Sequence, residues 1–223
     1  MSTIMRQVAG ARLLRSAAMA VLLVSALAGC GPDDDSRTLA AIANRWFVAL
    51  HARDFAELAR VDASAPPVRE GPVWKTWTRQ VEGVLARHEI DRDRGVLEPD
   101  PQGYRIVLAT QLGHGAFWEE IGREDGPEGP ALRIRINFGY GEINYLPLPA
   151  GTTVYLLGYP PGKIYPVRLG EGRTHEMDIL EHIECIVRFR RVERIVPEDE
   201  TFKVDRLEWL PETAIHRRVS WVF

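Results

Sequence analysis

The sequence predicts an α+β fold in which N-terminal helices pack on a curved antiparallel β-sheet, with an extra hairpin region rich in tyrosine and proline. Apolar residues recur at helical spacing up to about residue 90, and at a period of two from Asp91 to the end of the given sequence. Turn-forming residues such as Pro66, Pro67, Pro161 and Gly162 fall between these periodic runs, not inside them. Three parts are expected: a leader over 1–29, a short polar tether over 30–36, and one domain over 37–223.

The first helix is predicted over 37–51, where Leu39, Ile42, Trp46 and Leu50 share one stripe with Ala43 and Ala49, and Asp35 or Ser36 supplies the N-cap. Asp54 and Glu57 form an acidic capping box for a short helix over 55–60. Pro72 opens a third helix with Trp74, Trp77, Val81, Val84, Leu85 and His88 on one face, closing near Ile90. Half-buried strands are then expected over 104–112 and 132–138, and an exposed loop over 122–130. Segments 152–157 and 164–169 flank Pro161 and Gly162, which suit the central positions of a type II turn, so they read as a hairpin. Ile183, Cys185, Val187 and Phe189 share a strand face opposite Glu184, Arg188 and Arg190; a final pair is expected from 202–209 and 215–223.

The leader carries Arg6, Arg12 and Arg15, no acidic residue, and an apolar run over 17–28 broken only by Ser25. That run is short against the roughly 20 residues a membrane-crossing helix needs, and Asp33, Asp34 and Asp35 follow it, not basic residues. Leu27-Ala28-Gly29-Cys30 resembles the lipobox of bacterial lipoproteins. The resemblance implies a mature chain that starts at Cys30, bears acyl chains and stays with a membrane facing the periplasm, since two or more chains anchor firmly. Gly31, where an aspartate would imply retention at the inner membrane, favours the outer one.

Of 28 basic residues the leader removes three, which leaves 25 against 31 acidic ones and argues against nucleic acid as a partner. With Cys30 acylated, Cys185 is the remaining thiol, and its place in an apolar alternation predicts burial. The Trp/Phe-bearing helix with Trp46, Phe47 and Leu50, turning through Arg53 and Asp54 into a second short helix and joined by the closing strands, resembles the nuclear-transport-factor-like α+β cone. That likeness implies a cavity between helix and sheet, in a group that holds both enzymes and binding modules.

Candidate chemistry is sparse, and no cofactor is expected. His175, Glu176, Asp178, Glu181 and His182 would place three ligands on one face of a helix, as a divalent metal needs, but a strand sends His175 and His182 to opposite faces. His114 between Gly113 and Gly115 is the other candidate acid or base. Tyr140, Tyr145, Tyr155, Tyr159 and Tyr165 are five of six tyrosines, interleaved with prolines, and Tyr145, Tyr159 and Tyr165 are candidate partner-binding residues, because tyrosine makes large contacts at small entropic cost. The expectation is a membrane-anchored envelope lipoprotein with a non-catalytic module for a protein, glycan or small ligand; the alternative is a periplasmic enzyme that uses His114 or the His175–His182 group in a helix/sheet pocket.

Overall fold

The computed structural model describes residues 34–110, 117–138, 151–168, 174–194 and 199–222. Its contacts divide the chain into two units, Met1–Thr38 and Leu39–Phe223. The leader with Cys30, His114 and Tyr145 lie outside the described residues.

The fold is α+β: among the described residues four helices, α1 (Asp34–Ala52), α2 (Phe55–Val61), α3 (Gly71–Asp93) and α4 (Tyr104–Ala109), pack with one six-stranded antiparallel sheet. The strands are β1 (Phe117–Gly126), β2 (Gly129–Asn137), β3 (Thr153–Gly158), β4 (Lys163–Arg168), β5 (Thr174–Arg191) and β6 (Phe202–Val222). Their order is β1-β2-β5-β3-β4, with β6 along the other side of β5.

In α1 the expected stripe is the buried one: Leu39, Ile42, Ala43, Trp46, Ala49 and Leu50 all lie in the core. Helix is described from Asp34 on, so Asp35 and Ser36, the expected caps, lie within it. Asp54 does cap α2, its Oδ1 accepting the Glu57 N–H at 3.0 Å. The Glu57 carboxylate does not complete the box; it accepts Arg45 Nε at 2.5 Å instead. Pro72 stands in the first turn of α3, whose Trp77, Val81, Leu85 and His88 are buried as the stripe predicts.

Three expectations fail. The strand expected over 104–112 is instead helical over Tyr104–Ala109, and all six of these residues are buried. Burial on every side removes the contrast by which a period is read, and a short apolar run then fits either element. The deciding group lies upstream: Asp100 accepts the backbone N–H groups of Gln102 and Tyr104 through Oδ1 and that of Arg105 through Oδ2 at 2.7 Å, which satisfies the orphan donors of a helix start. Gly103 has a φ of 81°, and a Cβ there would stand 2.4 Å from the Leu207 carbonyl oxygen, so the chain passes β6 at a distance only glycine allows.

The loop expected over 122–130 is a tight hairpin, with Gly126 paired to Gly129 and only Pro127 and Glu128 between them. Segments 202–209 and 215–223 belong to one strand rather than two. Leu210 lies opposite Glu184 and Ile215 opposite His182, so 211–214 form a bulge. Thr213 Oγ1 accepts the Glu184 N–H at 2.9 Å and donates to the Leu210 carbonyl at 2.7 Å, and Pro211 falls where its missing N–H does no harm. The hairpin β3–β4 forms as expected, with the Lys163 N–H donating to the Pro160 carbonyl across Pro161 and Gly162, whose φ is 96°.

Candidate functional site

Helix α1 presents a second stripe beside its core stripe. Asn44, Phe47, Val48 and His51 stand at successive helical turns and line a cleft of about 360 Å³ with Thr110, Trp118 and Ile136. Trp118 and Ile136 are directly paired across β1 and β2, so sheet register sets the far wall. The Phe47 and Trp118 rings lie 6.0 Å apart at 33°, and Val48 is 57% exposed at the mouth. Thr110 Oγ1 donates to the Val107 carbonyl at 2.6 Å, so His51 Nε2, 3.0 Å from the same oxygen, is the donor in that contact. The histidine is therefore not acting as a base toward the threonine. The arrangement offers apolar walls with His51 and Thr110 at one end and Asn44 about two helical turns away, the composition of small-molecule sites.

A buried polar hub lies elsewhere in the core. Asp62, 2% exposed, closes α2. Its Oδ2 accepts Trp46 Nε1 at 2.7 Å and the Tyr104 hydroxyl at 2.8 Å, and its Oδ1 accepts the Ser64 N–H at 2.8 Å and the Ser64 hydroxyl at 2.5 Å. Burial pushes the carboxyl up from its ordinary range, and the bonds from Ser64, Trp46 and Tyr104 oppose that rise. Trp77 Nε1 donates to Ser64 Oγ at 3.0 Å, and Asp62 forms a parallel bridge with Val204 of β6. One carboxylate thus ties α1, α2, α3, α4 and β6. A depression of about 330 Å³ outside Ser64 is lined by Pro66, Pro72, Val73 and Trp77, but the serine hydroxyl already gives its proton to Asp62 and receives the Trp77 N–H, which makes it a clasp, not a free nucleophile.

His88 is buried on α3 and its pKa is pushed down to about 4, by burial first and then by the Arg105 and Arg92 charges. Arg105, buried on α4, is ion-paired with Asp91. The Arg105–Asp91 pair fastens α4 to α3.

The residues singled out in the sequence are scattered. His175 and His182 both lie on β5, so the helical metal face is not formed. Asp178 Oδ1 accepts Arg218 Nε at 3.1 Å and Glu181 is ion-paired with Arg217, both from β6. Among the described residues no three His, Cys, Asp or Glu side chains converge as a metal site would need. Tyr159, 41% exposed, stacks on His216 with ring centroids 3.9 Å apart. The Tyr165 ring lies over Gly158, where a Cβ would come within 2.0 Å of it. Tyr155 donates to Asp93 Oδ1 at 3.1 Å. Cys185 is buried and its thiol pushed up by burial, so it is inert. Arg188 pairs with Glu208 at 3.0 Å, and Glu184 is taken by Arg133 and Arg135 across the sheet.

The resemblance to the α+β cone implies a cavity between helix and sheet, but none of the residues that line this cleft is singled out by the sequence as a site residue. Its one legible sign was Asn44, Phe47, Val48 and His51 at helical spacing on a face next to the core stripe, but the opposing wall depends on strand pairing that periodicity does not specify. Compared with known proteins, the chain matches no family model, no curated protein and no solved structure.

Proposed function

We propose that this protein is an envelope lipoprotein, held at a membrane by acyl chains on Cys30, whose body is a non-catalytic module that binds a small, mostly apolar ligand between α1 and the β1–β2 pair. The observation that carries the binding reading is the cleft: Phe47, Val48, Trp118 and Ile136 give apolar walls, and His51 with Thr110, 3.0 Å apart, supplies the polar groups that would orient a ligand head. The engagement of Tyr165 over Gly158 and of Tyr159 on His216 supports the cleft over the tyrosines as the main site. The lipidation reading is supported by the sequence, through the short apolar run and the Leu-Ala-Gly-Cys that ends it.

Titration with dansyl-labelled undecanoate, read by the rise in dansyl fluorescence, tests the site. The wild-type chain is expected to show saturable binding at one site, and Val48→Asp, a change at an exposed position, should weaken it roughly tenfold by placing a charge in the mouth. Unsaturable uptake, or equal affinity in the variant with unchanged circular dichroism, would contradict the assignment.

A further inference from the structure

Helix α3 turns Trp77, Val81, Leu85 and His88 to the core, and its opposite side is in water. At about 100° per residue, the line facing away from the core runs through Pro72, Thr76, Arg79, Gly83, Ala86 and Ile90, with Lys75 and Arg87 beside it. All of these are exposed, and a Cβ at Gly83 would meet no atom within 4 Å. Apolar groups stand out along this side: Ile90 is 51% exposed, Val73 68%, and Val68, in the connection from α2, 57%.

The charges on this side are lopsided. Lys75, Arg79, Arg87 and the cap residue Arg94 are exposed, and none of them enters an ion pair among the described residues. Elsewhere arginines are taken: Arg45 by Glu57, Arg133 by Glu184 and Arg188 by Glu208. Of the carboxylates on α3, Glu89 is held by Arg53, Asp91 by Arg105, and Asp93 by Arg92 and the Tyr155 hydroxyl, which leaves Glu82 alone against the free cations. Glu70, at the N-cap, comes before the line begins. In a chain with 31 acidic and 28 basic residues, this surplus of positive charge is local.

We propose that the outer face of α3 docks on the anionic headgroups of a phospholipid bilayer, the same membrane that the acyl chains on Cys30 enter; the choice of bilayer rests on the lipoprotein reading. The bases meet lipid phosphates while Val68, Val73 and Ile90 enter the headgroup layer, a mixture that suits a lipid surface better than an acidic polypeptide. A second copy is a poor occupant, because two such faces would set cation against cation. The chain from Cys30 to Leu39 reaches at most about 30 Å, so the domain meets the bilayer at high effective concentration. A shallow attraction is then enough, and each base close to an anionic surface contributes about fivefold to partitioning.

The test uses the full membrane-derived protein in vesicles, with a bimane label at Ala86→Cys on α3 or, as control, at Ser220→Cys on β6; Cys185 is buried and stays unlabelled. Quenching by a lipid with a nitroxide headgroup reads contact with the surface. In vesicles one third phosphatidylglycerol and two thirds phosphatidylcholine, the Ala86→Cys label should be quenched roughly threefold more than the control, and 0.5 M salt or pure phosphatidylcholine should remove most of the difference. Arg79→Glu with Arg87→Glu should also remove it, whereas Arg217→Glu with Arg218→Glu, the same change in net charge, should leave it within about a third. Flotation with the vesicles at high salt reads the anchor by itself, so its loss would count against acylated Cys30, and quenching by added vesicles would still decide the face. Equal quenching at the two labels, no response to phosphatidylglycerol, equal effects of the two double reversals at unchanged circular dichroism, or relief of quenching by soluble poly-glutamate at the same concentration of anionic groups would overturn the proposal.

Discussion

Carboxylates pair with donors both at the Asp62 hub and on the distal β5–β6 ribbon, where 174–182 pair with 215–222 through the backbone, yet the two sets of contacts stand at opposite ends of the energy scale. At the hub one carboxylate, 2% exposed, accepts four hydrogen bonds, and the Trp46 and Tyr104 donors among them are buried with no water to replace it. On the ribbon, Arg217 and Arg218 keep side-chain exposures of 62% and 73% while paired, so water competes for every contact. The chemistry is alike and the surroundings differ. What the comparison teaches is that the helical layer is fixed by a few costly buried polar groups, whereas the ion pairs on the ribbon stay in water and fix little.

Removing the hub carboxylate should have the largest effect. Asp62→Ala strands the Trp46 N–H and the Tyr104 hydroxyl in the core, and is expected to cost about 3–5 kcal/mol in urea unfolding. A loss below about 1 kcal/mol would erase the contrast with the ribbon.

His88 extends the comparison to protons. Its folded pKa of about 4 lies below the ordinary 6.5, so the unfolded chain binds the proton more tightly. Stability from this group is therefore present above pH 6.5 and is lost as pH falls toward 4, by up to about 3 kcal/mol. The raised Asp62 works in the opposite direction, weakening the fold as pH rises above the ordinary carboxyl range. Across this window wild type should lose more melting temperature on acidification than His88→Leu, which lacks the proton site; parallel curves would remove the histidine from the account.

The smallest effect is expected on the ribbon. Arg217→Ala should change unfolding stability by no more than about 0.5 kcal/mol, and added salt should shrink even that. A loss above about 2 kcal/mol would show the ribbon to be as fixed as the hub.

Legibility followed the same division. The stripe of Leu39, Ile42, Trp46 and Leu50 was readable because α1 has one dry and one wet face, and Ile183, Cys185, Val187 and Phe189 because β5 does too. Tyr104–Ala109 was misread because all of it is buried, and the sign that decides its helix, Asp100, stands four residues earlier. The one-strand nature of β6 depended on Thr213 bonding to Glu184, a contact between residues 29 apart. Asp62 gave no sequence signal, since a lone aspartate after a short helix is ordinary until Trp46, Ser64 and Tyr104 are brought to it. The cleft was hidden for a like reason: half of it is helix spacing, and half is the Trp118–Ile136 register.

The reading of this chain as a tethered binding module depends most on its anchor, and mass spectrometry of the N-terminal peptide from the membrane fraction tests it directly. The account predicts a chain that begins at Cys30 and carries the mass of a diacylglyceryl group, lost from both peptide and membrane in Cys30→Ser. A retained initiator methionine, or an unmodified Cys30 in a freely diffusing protein, would contradict it.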